Sequence, residues 1–216
     1  MDFGYEKDSK ERLPFEHYLK AYQDLNPEHI SQRTGIPYDS KTGSFTLRLM
    51  GVTYRITHPD YEIIHLDGEE IGWFPLEQKP NARILVLRFL TEGTAAPSSG
   101  EFLTYREIPW GEVYFKQFQG RCIFRLAYGF GNKADKFEAV MEKIGGKKLT
   151  FGDISYEFEF LNGLQLRMIL WAGDDEFPPS AQILFSDNFP VAFNHGEDMA
   201  VVGDVSIDML KAVQAQ

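Results

Sequence analysis

Apolar positions change their spacing several times along the chain, and each change predicts an element. Phe15, Tyr18, Leu19 and Tyr22 recur at i, i+3, i+4 and i+7, one face of a helix, with Pro14 suited to its first turn. Asn26-Pro27 then resets the chain: Asn caps a helix N-terminus and Pro fits its first position, so a short second helix to about Arg33 ends at Gly35. From Ser44 the period becomes two. Phe45, Leu47 and Leu49 alternate with polar neighbours, as do Val52, Tyr54 and Ile56, which predicts a hairpin pivoting at Met50-Gly51. A third strand is expected over 61–66, with Asp67-Gly68 as its turn and 69–73 as a return strand of a meander.

Helical spacing resumes over 80–90, where Ile84, Leu85, Leu87, Phe89 and Leu90 give a wide apolar face and Gly93 a stop. The segment GTAAPSSG at 93–100 is loop-forming and marks the place where a subdomain junction would fall within one composite domain over 1–216. After an extended stretch at 101–107 and Pro109-Trp110-Gly111, a long helix turns Phe118, Cys122, Leu126 and Tyr128 or Phe130 inward. A further helix covers 134–144, stopped by Gly145-Gly146, and a second hairpin, 154–160 with 164–171, folds about Asn162-Gly163. A short apolar run at 181–185 and a helix from about Glu197 to Val213 complete the chain. Helices, strands, helices and strands in blocks do not alternate as in a parallel fold. The expectation is α+β: a mainly antiparallel sheet from two hairpin or meander regions, packed with about five to six helices.

Composition narrows the function classes. The 22 Lys and Arg face 32 Asp and Glu, a net charge of −10, whereas binding to nucleic acid depends on basic side chains displacing counterions from phosphates. The basic run at 143–148 holds three lysines and reads as the charge-complemented end of a helix. No apolar stretch approaches the roughly 20 residues that span a bilayer, and the charged start MDFGYEKDSKER lacks a signal-peptide core. The reading is cytoplasmic, without nucleic acid or membrane as partner. Cys122 is the one cysteine, so no cysteine-ligated iron–sulfur cluster or zinc is expected, and its apolar setting reads as core rather than nucleophile.

Two segments could carry chemistry. The first is the loop after Trp171, where Asp174, Asp175 and Glu176 precede two prolines. Clustered carboxylates suit a hard cation or a general base. The plainer alternative is a solvated acidic turn in which a carboxylate accepts backbone amides. The second is Tyr105, Arg106 and Trp110 with Arg121, an aromatic and cationic set able to line a pocket for a flat or anionic ligand. Its plainer alternative has Trp110 capping the core and Arg106 paired with a surface acid. The five histidines are dispersed, and the glycine-loop and nucleophile-elbow motifs are absent.

The segments DLNPEHISQRTGIPYD, GSFTLRLMGVTYRITHPD, SSGEFLTYREIPWGEVYFKQFQGR, FGDISYEFEFL and LWAGDDEFPPSAQILFSDN together resemble the domain-of-unknown-function family 3786 of anaerobic bacteria and some archaea, over about 13–210. The resemblance implies no activity. It does imply relatives fused to a four-cysteine iron–sulfur domain similar to those of corrinoid proteins, a module that a chain with Cys122 alone does not contain. The expected function is an accessory protein that binds a small molecule or cofactor. A metal-dependent enzyme using Asp174, Asp175 and Glu176, and a protein-interaction module, are the alternatives. The sequence names neither ligand nor reaction, and predicts no oligomeric state.

Overall fold

The structure, a computed structural model, describes residues 9–215; part of the N-terminal stretch read above for a signal peptide lies outside the described residues. Helix α1 (Ser9–Asp24) starts further upstream than the sequence suggests, so Pro14 stands inside it instead of in its first turn. Proline has no amide for the carbonyl four residues earlier, and the helix is held by what it buries: Tyr22 is fully enclosed, and Phe15, Tyr18 and Leu19 pack against the core. In α2 (Pro27–Thr34), Asn26 Oδ1 accepts the Glu28 amide at 2.8 Å and Gly35 closes the helix in the left-handed conformation, as its caps predict.

Both hairpins belong to one nine-stranded antiparallel sheet. Strands β1 (Tyr38–Asp39), β2 (Ser44–Leu49), β3 (Val52–Thr57) and β4 (Ile63–His65) come from the first region, and β5 (Phe102–Thr104) from the segment after the Gly/Ser loop. The second region supplies β6 (Lys147–Leu149), β7 (Ile154–Leu161), β8 (Leu164–Trp171) and β9 (Ser180–Ser186). The order is β4-β3-β2-β7-β8-β9-β5, with β1 on β2 and β6 on β7. The two regions meet at a narrow seam. Leu49 pairs with Leu161, Met50 N–H donates to the Phe160 carbonyl at 2.9 Å, and Arg48 N–H donates to Asn162 Oδ1 at 2.7 Å.

Two expectations are corrected here. Residues 69–71 form a turn and 72–73 are irregular, so there is no return strand. Ile71 N–H closes back on the Gly68 carbonyl, and Glu77 Oε1 accepts the His65 amide at 3.0 Å, occupying an edge donor that another strand would need. Of the lysine run, Lys143 stands in the last turn of a helix as expected, whereas Lys147 and Lys148 enter β6, where Lys148 pairs with Glu138.

Helices α3 (Pro75–Gln78), α4 (Pro80–Glu92), α5 (Gly111–Phe118), α6 (Phe124–Phe130), α7 (Ala134–Lys143), α8 (Phe189–Ala192) and α9 (Gly196–Gln214) follow. The long helix predicted after Gly111 is α5 and α6 joined by a π-helical turn, Gln119–Ile123. Phe118, Cys122, Leu126 and Phe130 face inward and Tyr128 faces out. With its single-turn helices set aside, the fold is the α+β arrangement expected. Helix α9 is apolar on most of its circumference because it is surrounded by α4, α5, α6 and α7. Among the described residues no helix is long and apolar enough to cross a membrane.

Candidate functional site

The first turn of α9 is held in place by Tyr105. This side chain is 2% exposed, lies flat on Phe118 with ring centroids 4.0 Å apart, and donates from its hydroxyl to the Gly196 carbonyl at 2.7 Å. Burial pushes its pKa up to about 12, so it acts as a neutral donor. Tyr105 itself begins a 3-10 turn, Tyr105–Glu107, locked by a capping box in which Glu107 accepts the Thr104 amide and hydroxyl. Gly111 then opens α5 against this turn. A Cβ there would stand 1.7 Å from the Tyr105 carbonyl oxygen, so only glycine fits.

Between that turn and α5 stands Trp110, with φ at 65° and 69% of its surface exposed. A bulky side chain in the left-handed region is uncommon and costly. Far from capping the core, its indole borders a cleft of about 510 Å³ with Val113, Tyr114, His195, Gly196 and Glu197. A second cleft of about 270 Å³ is again lined by Glu197, with Glu11, Asp198, Arg88 and Arg121 among its polar residues.

Asp198 is the most unusual group there. It is 2% exposed, and Oδ1 accepts from Arg88 Nη1, whereas its Oδ2 and the Arg88 Nε have no protein partner. Burial pushes its pKa up to about 6, against the pull of Arg88 and His195. Burial likewise opposes the charge on Arg88, but the Asp198 carboxylate outweighs it and the guanidinium pKa is raised. Glu197 Oε1 lies 3.5 Å from Arg88, and the Arg88 guanidinium stacks over Tyr18 at 4.9 Å.

Arg121 sits in the π-helical turn, a distortion frequent at functional sites. It pairs with Asp204, which also takes Arg125, and Arg125 reaches Asp208 in turn. The fourth residue of the predicted set, Arg106, borders neither of these clefts: it covers Phe115 at 3.9 Å and lies 3.7 Å from Glu112, the surface pairing of the plainer alternative.

The acidic loop is elsewhere. Asp174, Asp175 and Glu176 are all exposed, and Asp174 Oδ1 accepts the Glu176 and Phe177 amides at 2.8 and 2.7 Å, which holds its carboxyl below the usual range. That is the turn-stabilising arrangement. Among the described residues no group of three His, Cys, Asp or Glu side chains could hold a metal ion. The loop docks through glycine: Gly131 has no Cβ where Pro179 Cβ would be 2.3 Å away, and Asn132 accepts the Gly173 amide at 3.1 Å. Cys122 is buried, its pKa pushed up to about 12 by desolvation, and it faces the Ala200 carbonyl at 3.5 Å. It has no path to reactivity.

Two other clefts, about 360 and 400 Å³, share Glu77 and Arg83 near α3. Glu77 is already spent there, accepting from the His65 amide and bonding to His65 Nδ1 at 2.7 Å, beneath a ring stacked on Phe74 at 3.7 Å. The α9 clefts therefore hold the unspent buried carboxylate. Of the residues that border these clefts, sequence reasoning singled out Trp110 and Arg121 and did not single out Arg88 and Asp198. Arg88 carried a signal: it is a lone cation inside the apolar run Ile84 to Leu90. Asp198 carried none, since acids are ordinary in a first helical turn.

A family model described as "Domain of unknown function (DUF3786)" matches residues 26–209, a span that contains Trp110, Arg88, Arg121 and the first turn of α9. No curated protein and no solved structure matches the chain.

Proposed function

The chain belongs to the DUF3786 family, whose description assigns no activity, and from that premise we propose, on geometry alone, that it binds a small molecule in the paired clefts beside the first turn of α9. The observation that carries this reading is Trp110. An indole 69% exposed, held outward at positive φ over a cleft of about 510 Å³, is an expensive arrangement for a chain that gains nothing from it. Tyr114 and Glu197 supply a second aromatic face and a carboxylate, and Arg121 and Arg88 line the neighbouring cleft that Glu197 also borders.

The reading favours a binding or accessory role over catalysis by the acidic loop, because Asp174 is committed to its own turn. It also fits a cytoplasmic protein with an acidic surface and a small-molecule partner in place of nucleic acid or membrane. The test is mass spectrometry under native conditions on gently purified, untagged protein, compared with the denatured chain. Extra mass in the wild type that is lost on denaturation, and reduced in Trp110→Ala and Tyr114→Ala, is the expected result. A retained molecule held equally well by both variants would move the site elsewhere.

A further inference from the structure

Exposed apolar side chains are concentrated on the solvent face of α5 and α6. Of the twelve large hydrophobic residues exposed among the described residues, five fall in this one segment: Trp110, Val113, Tyr114, Phe124 and Tyr128. Phe118, Cys122, Leu126 and Phe130 point inward, and Lys116, Gly120, Phe124 and Tyr128 recur at the same four-residue step on the opposite side. The rings of Phe124 and Tyr128, 47% and 65% exposed, have centroids 6.3 Å apart. With roughly 150–250 Å² per aromatic side chain, the five expose on the order of 600 Å², against about 800 Å² per partner in a standard interface. An apolar surface of that size marks a site of association. The charges around it are nearly balanced, in a chain of net charge −10. Arg106 lies 3.7 Å from Glu112, Arg121 pairs with Asp204, and Arg125 with Asp204 and Asp208, while Lys116 has no ion-pair partner among the described residues.

We infer that this face is a dimer interface, occupied by a second copy of the chain packed antiparallel about a two-fold axis at Gly120. The spacing of the apolar residues is self-complementary about that point. Trp110, Val113 and Tyr114 stand ten, seven and six residues before Gly120, and Phe124 and Tyr128 four and eight after it. In an antiparallel pair, Tyr128 of the second copy therefore falls between Trp110 and Val113. Its Phe124 falls at the level of Lys116, which gives the unpaired cation an aromatic ring to cover. A two-fold axis makes each of these contacts twice. At the crossing point Gly120 is exposed and has no side chain, and a Cβ there would meet nothing within 4 Å, so the two backbones can approach closely. Arg121, next to the axis, is answered by Asp204 of its own chain. A strongly charged partner would find Lys116 and little else unpaired; a second copy finds rings spaced to take its own. Trp110 and Tyr114 also border the larger cleft, so the pairing sets Tyr128 of the second copy at its rim.

The experiment is sedimentation velocity of the full, untagged chain from low-micromolar to sub-millimolar concentration. A dimer that dissociates on dilution is expected. Phe124→Glu and Tyr128→Glu, both at exposed positions that leave the core untouched, are each expected to weaken it by about tenfold or more. The register is read by cross-linking. Because Cys122 is buried, a cysteine added at Gly120 supplies the one accessible thiol among the described residues. Under mild oxidation Gly120→Cys should give a covalent dimer, and Val191→Cys, exposed on α8, should not. A wild-type chain that stays monomeric throughout, or a dimer that both glutamate variants leave intact, overturns the interface. Cross-linking of Val191→Cys as fast as Gly120→Cys overturns the two-fold at Gly120. A monomer that still retains a molecule through Trp110 removes the second copy and leaves the small-molecule reading standing. A dimer with no retained molecule does the reverse.

Discussion

Asp198 shows how a single buried carboxylate makes stability depend on pH. Its folded-state pKa, near 6, lies above the 3.8 of an exposed aspartate because burial disfavours the charge. The folded chain therefore binds this proton more readily than the unfolded one. Stability falls as pH rises from about 4 to about 6, and the penalty is complete above that range, on the order of 3 kcal/mol. Comparison of urea midpoints at pH 4.5 and 7 should show a smaller drop for Asp198→Asn than for the wild type; equal drops would mean that Asp198 ionises like an exposed acid. Tyr105 makes the opposite case, a polar group fully satisfied. Tyr105→Phe removes the hydroxyl's bond to the Gly196 carbonyl and is expected to cost about 1 kcal/mol, read as a lower unfolding midpoint. The sequence pointed to Tyr105 as a ligand residue, and the structure uses its hydroxyl to hold the helix on which the clefts are built. Aromatic and cationic residue types are legible in a sequence. Which way each faces depends on partners 91 residues away, as for Tyr105 and Gly196, and is not.

The elements that set out the site are joined by a few residues with no freedom to change. Gly111 lets α5 begin against the Tyr105 carbonyl, so Gly111→Ala should force the two apart at a cost of about 3 kcal/mol. That corresponds to a fall of roughly 8 °C in thermal midpoint for a chain of this length, and a midpoint unchanged within a degree would show that the turn has room to yield. Asn188, 5% exposed, fastens the Gly/Ser loop to the second hairpin. Its amide donates to the Ala96 and Gly163 carbonyls at 2.9 and 3.0 Å, while Oδ1 accepts from Ser186. Asn188→Ala leaves both carbonyls unpaired and is expected to cost about 3 kcal/mol in denaturant titration. Local spacing was enough to locate both hairpins, the capped α2 and the inward face of α5–α6. The π-helical turn escaped, because one inserted residue barely alters the apolar period, and it is this turn that carries Arg121 to the α9 cleft. The 69–73 segment was misread for a related reason: its alternation resembles a strand, but Glu77 had already taken the edge donor at His65.

At the scale of the whole molecule, the sheet ties the two hairpin regions through a short seam, and α9 closes over helices contributed by both halves. Trp73 lies in the first half of the chain and Trp171 in the second, so fluorescence samples both. Far-UV circular dichroism and tryptophan fluorescence should then give coincident denaturation curves, whereas separated midpoints would mean that the halves unfold independently. No pattern of hydrophobic residues announced the seam, since register between distant strands is written in contacts and not in period. The seam also bears on how the protein is made. The amides of Arg48 and Met50 find their acceptors at Asn162 and Phe160, more than a hundred residues further on. On a ribosome adding about 5–20 residues per second, that edge of β2 waits on the order of ten seconds for its neighbour. During that interval β1 covers only the start of β2, and the Arg48 and Met50 amides at its end stay open, so the pace of translation sets how long this edge goes unpaired.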